Sequence, residues 1–130
     1  MTRATGKFEV KLTPQSQDKD PATGTALGRM SIEKQFHGDL EATSRGEMLS
    51  AMTSVPGSAG YVAIERLTGN LHGRAGTFVL QHSGTMAHGH QELTIRITPD
   101  SGTGELTGIS GAMTIHISGG EHSYEFEYAL

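Results

Sequence analysis

Apolar and polar residues alternate along most of this chain with a period of two. The C-terminal stretch shows it best: His122, Tyr124, Phe126, Tyr128 and Leu130 share one parity, and Ser123, Glu125, Glu127 and Ala129 the other. Such alternation puts one face of a strand on a core and the other in water. The same pattern recurs upstream. Phe8, Val10 and Leu12 alternate with Lys7, Glu9 and Lys11. Met30, Ile32 and Phe36 share a face with Lys34, opposite Arg29, Ser31, Glu33 and Gln35. Leu93, Ile95 and Ile97 form another apolar row, and Met113, Ile115 and Ile117 a further one.

Three segments are apolar on both faces: Met48 to Met52, Tyr61 to Leu67 and Thr77 to Leu80. A strand covered on both sides reads this way. One cover is the interior of the fold, and the expected second cover is another subunit. Turns are expected at Val55-Pro56-Gly57, Thr68-Gly69-Asn70, Ala87-His88-Gly89, Pro99 to Gly102 and Ser118-Gly119-Gly120. Residues Pro14 to Thr23 read as a long polar loop, disordered or acting as a lid. Short strands separated by turn residues predict an all-β fold. The expected architecture is a small closed antiparallel β-barrel of about eight strands, formed by residues 1–130 as a single domain. The alternative is a β-sandwich, because inward positions alternate in both.

Composition sharpens this picture. The 18 glycines leave no stretch free of Gly and Pro longer than Glu121–Leu130, so helices are confined to short pieces. Recurrent glycine also suits the strand curvature that closure demands. The net charge of −4, with bases scattered along the chain, argues against nucleic acid and anionic membranes as partners. Without cysteine there are no disulfides, thiolate metal sites or cysteine nucleophiles. No leader-like segment or membrane-length apolar run is visible, and the expected compartment is the cytoplasm.

Candidate chemistry centres on Glu65. It shares a parity with Tyr61, Ala63 and Leu67, whereas Val62 and Ile64 occupy the other. If its face turns inward, burial raises its pKa and makes it a general acid or base. Otherwise it lies at a rim or pairs with Arg66, Arg74 or Arg96. In Gln81-His82-Ser83, His82 shares a face with Phe78 and Leu80 and Gln81 with Val79 and Ser83, which suggests polar groups at a cavity mouth. The expected catalytic residues are Glu65 and His82, and the expected ligand-binding residues Tyr61, Gln81, Glu47 and Phe78. The glycine-rich run Gly102–Gly111 has no phosphate-binding lysine and no following helical pattern, so it reads as tight turns. His88-Gly89-His90 lacks the ligand spacing of a metal centre and reads as an exposed hairpin turn. No metal or cofactor is expected.

Four stretches in order, Phe36–Leu40, Ala63–Gly69, Gly73–Gly84 and Ser101–Gly108, resemble the bacterial domain of unknown function 3224 family. The likeness runs from about Phe8 to Leu130, and Gly-Thr-Phe-Val-Leu-Gln-His-Ser-Gly is its most specific segment. The resemblance implies a small antiparallel barrel similar to that of plant allene oxide cyclases, assembled from several copies. It implies no activity, because fold does not dictate function.

Two functions are therefore expected in competition. One is a small-molecule-binding barrel with an apolar ligand in its lumen, acting as a cofactor-free isomerase or cyclase. The other is a non-catalytic homo-oligomer whose lumen is filled by its own side chains and which works through protein contacts.

Overall fold

A computed structural model describes residues 1–130. The chain forms eight strands: β1 (Thr2–Lys19), β2 (Ala26–Gly38), β3 (Leu40–Met52), β4 (Ala59–Leu71), β5 (Arg74–Ala87), β6 (His90–Ile97), β7 (Ser110–Ser118) and β8 (Glu121–Ala129). One 3-10 turn, Gly104–Leu106, interrupts the β6–β7 connection. Each strand runs antiparallel to the next, and β8 returns to β1 to close a barrel. The sandwich alternative is thereby set aside.

Two local expectations are corrected. The polar stretch after Pro14 is not a free loop. Strand β1 continues to Lys19 across a bulge between Pro14 and Ser16, and pairs with the start of β2 as an exposed ribbon. Polar composition misled because both faces of this ribbon lie in water. Thr68-Gly69-Asn70 is not a turn but part of β4. The chain reverses two residues later at His72-Gly73, with φ of 48° and 81°, the conformation of a tight hairpin turn. Gly69 serves close approach instead, since a Cβ there would lie 2.1 Å from the carbonyl oxygen of Glu41 on β3.

The barrel has two unlike halves. In one, side chains fill the lumen: Phe36, Leu40, Leu67, Leu71, Phe78 and Phe126 are essentially inaccessible. Leu106 and Ile109 of the β6–β7 connection join this core. Here the Tyr124 hydroxyl donates to the His37 carbonyl at 2.9 Å and accepts from the Leu40 amide at 3.0 Å. It thus ties β8 to the β2–β3 turn.

The other half is open. Strand β8 pairs with β1 only over Thr2–Phe8 of β1, and β6 with β7 only through Ile95–Met113 and Arg96–Ala112. Beyond these levels the wall parts. Leu12, Met52, Leu93 and Ile117 lie on the inward parity of β1, β3, β6 and β7, yet are 46–68% exposed. The antiparallel order brings all four to the same rim. One end of the barrel is a packed plug, and the other is an apolar mouth.

Candidate functional site

Glu65 lies where plug gives way to mouth. Along β4 the inward positions are Tyr61, Ala63, Glu65 and Leu67; Leu67 belongs to the plug and Tyr61 is half-buried. On β5, Phe78, Leu80, His82 and Gly84 face the same way. Glu65 pairs with Leu80, and Ala63 with His82, so Glu65 and His82 are diagonal neighbours on one face. The third member comes from β2. Lys34 pairs with Ser44 on β3, and Glu65 with Gly46. These small β3 residues leave the lysine stem a path across to β4. Gly46 cannot be larger: a Cβ there would meet the Ile64 carbonyl oxygen at 2.0 Å and the Glu65 Cα at 2.6 Å.

A lysine and a histidine converge on one carboxylate oxygen. Lys34 Nζ donates to Glu65 Oε2 at 2.8 Å, and His82 Nε2 lies 2.6 Å from the same atom. The Glu65 side chain has no exposure, and those of Lys34 and His82 are nearly as buried. The Lys34 ammonium also lies over the rings of Phe8 and Phe36, at 5.1 and 5.7 Å from their centroids. Glu65 Oε1 and Ser44 Oγ are buried without a hydrogen-bond partner.

This arrangement corrects the expected direction of the Glu65 pKa. Burial does push it up. The hydrogen bond from His82 and the charge and hydrogen bond of Lys34 outweigh burial and hold it at about 2. Glu65 is therefore a carboxylate at neutral pH and a weak base. With an ionised oxygen 2.6 Å away, His82 Nε2 is the donor to Glu65 Oε2, and Nδ1 makes no hydrogen bond. A carboxylate that orients an imidazole in this way leaves the far nitrogen to accept or return a proton. The Tyr61 ring lies 6.3 Å from that of His82. Burial, and secondarily the charge of Glu65, push its phenol pKa up, so Tyr61 keeps its proton. Its ring rests on Gly84, where a Cβ would approach Tyr61 Cε1 to 2.5 Å.

Of the expected site residues, Glu65, His82 and Tyr61 come together. Phe78 is on the inward face but deep in the plug, 5.7 Å from Phe126. Glu47 and Gln81 point outward. Glu47 is ion-paired with Arg29 at 2.8 Å, and Gln81 accepts from Thr98 at 3.0 Å. They line an open depression of about 700 Å³ on the outer surface with Leu49, Val62 and Ile64. No second carboxylate approaches Glu65, and no three His, Asp or Glu side chains gather as a metal-ligand set. Sequence reasoning missed Lys34 and Ser44 as site residues. A signal for Lys34 existed: it is the charged residue on an otherwise apolar strand face, beside Met30, Ile32 and Phe36.

The fold and site define an antiparallel barrel with a buried ion cluster beneath an apolar mouth. The model of a family described as protein of unknown function (DUF3224) matches residues 4–128, and the chain belongs to that family. A similar solved structure is that of a DUF3224-family protein of unknown function from Shewanella oneidensis MR-1. It is 55% identical, with a TM-score of 0.95, and the match covers 100% of this chain and 98% of that one. No curated protein matches the chain. No helix is long and apolar enough to cross a membrane.

Proposed function

We propose that this barrel binds an apolar small molecule in its open half and that its polar floor supports a cofactor-free isomerisation or cyclisation. The observation that carries this reading is the ionised, fully buried Glu65, with one oxygen unpartnered, at the foot of an apolar mouth. A packed core has no use for an unsatisfied carboxylate oxygen, whereas a binding site does. In this reading His82 moves the proton through Nδ1, Glu65 orients its ring, and Tyr61 donates to developing negative charge. The cytoplasm is the proposed compartment, consistent with the cysteine-free sequence.

Methionines ring the mouth and supply the assay. Met30, Met48, Met52 and Met86 occupy inward positions towards the rim, whereas Met113 is buried. With carbon-13 methyl labels on methionine, titration with a panel of apolar compounds should shift the four rim signals and spare Met113. A panel that moves none of them would defeat the proposal. Once a turned-over compound is found, Glu65→Gln should lose turnover while remaining folded.

A second reading, self-association, rests on the outer wall. Leu27, Leu49, Val62 and Ile64 are each more than half exposed on outward positions. Leu49 faces Val62 directly across the β3–β4 pair. Together the four form an exposed apolar stripe running across β2, β3 and β4. The proposed occupant is a second copy of this chain. The patch is bordered by Arg29, Glu47 and Arg66, so it carries both signs of charge needed to meet itself. Sedimentation should find an oligomer that Ile64→Lys converts to monomer. A monomeric wild type at tens of micromolar would exclude this interface.

A further inference from the structure

We infer that Tyr61 is a lid between the apolar mouth and the buried ion cluster, and that its ring swings aside to admit a ligand to the floor of the lumen. This deepens the binding reading above and rests on it.

Depth along β4 creates the need for a lid. The inward residues run from Ala59 at the rim through Tyr61 and Ala63 down to Glu65. With the ring where it stands, Ala63 is 4% exposed, and the side chains of His82 and Glu65 are 4% and 0% exposed. A molecule held in the mouth therefore cannot touch the cluster until a side chain above it moves. Tyr61 is the large inward side chain of β4 at that level, half-buried, with its ring 6.3 Å from that of His82.

Its surroundings let it move. Directly opposite Tyr61 stand Ser50 on β3 and Gly84 on β5. Its inward neighbours along β4 are Ala59 and Ala63. None of these four has a side chain large enough to lock a ring. The diagonal positions on the two partner strands hold Met48, Met52 and Met86 beside His82, and unbranched methionines repack readily. The ring rests on bare backbone at Gly84, where a Cβ would lie 2.5 Å from Tyr61 Cε1 and 3.0 Å from Cδ1. The glycine thus makes the closed position available without gripping it.

The hydroxyl is also untied. Tyr124 is fixed through its hydroxyl to backbone groups of His37 and Leu40, and Tyr128 to the ring of His72. The Tyr61 hydroxyl makes no such bond; burial and the charge of Glu65 are what act on it. Two tyrosines are built as struts and the third is not.

Two measurements test the lid. The first uses the wild-type sequence with 3-fluorotyrosine at all three tyrosines and no ligand. The Tyr61 fluorine signal, assigned with Tyr61→Phe, should show exchange broadening that the other two lack, since lids move on the microsecond-to-millisecond scale. The second times the binding of N-phenyl-1-naphthylamine, an apolar dye, by stopped-flow fluorescence. A lid open about a tenth of the time slows association about ten-fold, so Tyr61→Ala should raise the association rate constant by about that factor. A residue that is only part of the wall would leave association unchanged and speed dissociation. That result, or a Tyr61 fluorine line as sharp as the other two, overturns the lid and leaves the binding reading standing. The fluorine spectrum decides on its own if Tyr61→Ala proves unstable. Failure of the dye to bind either protein removes the binding reading and this inference with it.

Discussion

Acidification should separate the wild-type protein from Glu65→Gln in a defined pH window. Glu65 has a pKa of about 2 in the folded chain against an ordinary 4.5. Its folded pKa is depressed, so its contribution to stability is present above 4.5 and is lost as pH falls through about 2. The gap of about 2.5 pH units corresponds to about 3 kcal/mol, at ~1.4 kcal/mol per unit. Glutamine resembles a permanently protonated glutamate. At pH 7 the variant should therefore be less stable by about 3 kcal/mol, because a buried ammonium has lost its counter-charge. Below pH 4.5 the difference should shrink, and near pH 2 it should approach zero. Urea unfolding of both proteins at intervals from pH 2 to 7 measures it directly. Other carboxylates titrate in both proteins and cancel in the comparison. A stability difference that stays constant across this range would refute the reasoning, since it would mean that Glu65 is not held ionised by Lys34 and His82.

Three further outcomes are expected. Gly46→Ala sets a methyl group against backbone atoms of β4 that cannot yield, and should cost at least about 3 kcal/mol in chemical denaturation. Tyr124→Phe leaves the buried Leu40 amide unpaired and should cost about 1–3 kcal/mol, read from the same transition. Gly84→Ala meets a movable ring, so it should lower stability by only about 1–3 kcal/mol while displacing Tyr61, visible as a change in Tyr61 ring chemical shifts and weaker binding of rim probes.

The barrel was legible because its strands announce themselves by parity. The inward row of β8, Tyr124, Phe126 and Tyr128, is the row that alternation singles out, and all three are buried. The segments apolar on both faces are also explained: Leu49, Val62 and Ile64 sit outside, and Tyr61, Ala63 and Leu67 inside. Parity alone did not say which row of β4 turns inward, because Val62 and Ile64 are more hydrophobic than Glu65. That choice is made by the barrel as a whole, through register with β3 and β5. The partners of Glu65 were hidden for the same reason. Lys34 is 31 residues away and meets it only across an intervening strand. Without that partner, burial argues for a raised pKa; with it, the sign reverses. Gly69 misled because glycine marks reversals and close strand crossings alike, and only the three-dimensional neighbour, Glu41, distinguishes them.

The narrow β6–β7 contact has a kinetic meaning. Strands β1 to β6 form a sheet in which each strand joins its sequence neighbour through a hairpin, so this part assembles by closing short loops. The β7–β8 hairpin is a clasp. It is attached to β6 at two residue pairs and must find β1, at the opposite terminus, across nearly the full length of the chain. Docking the clasp is thus the step that waits for everything else, and it carries Tyr124 and Phe126 into the plug as it closes. Undocking it would separate both walls of the lumen while leaving most of the sheet hydrogen bonds intact. Amide exchange should accordingly divide the molecule into a slowly exchanging six-stranded sheet and a faster clasp.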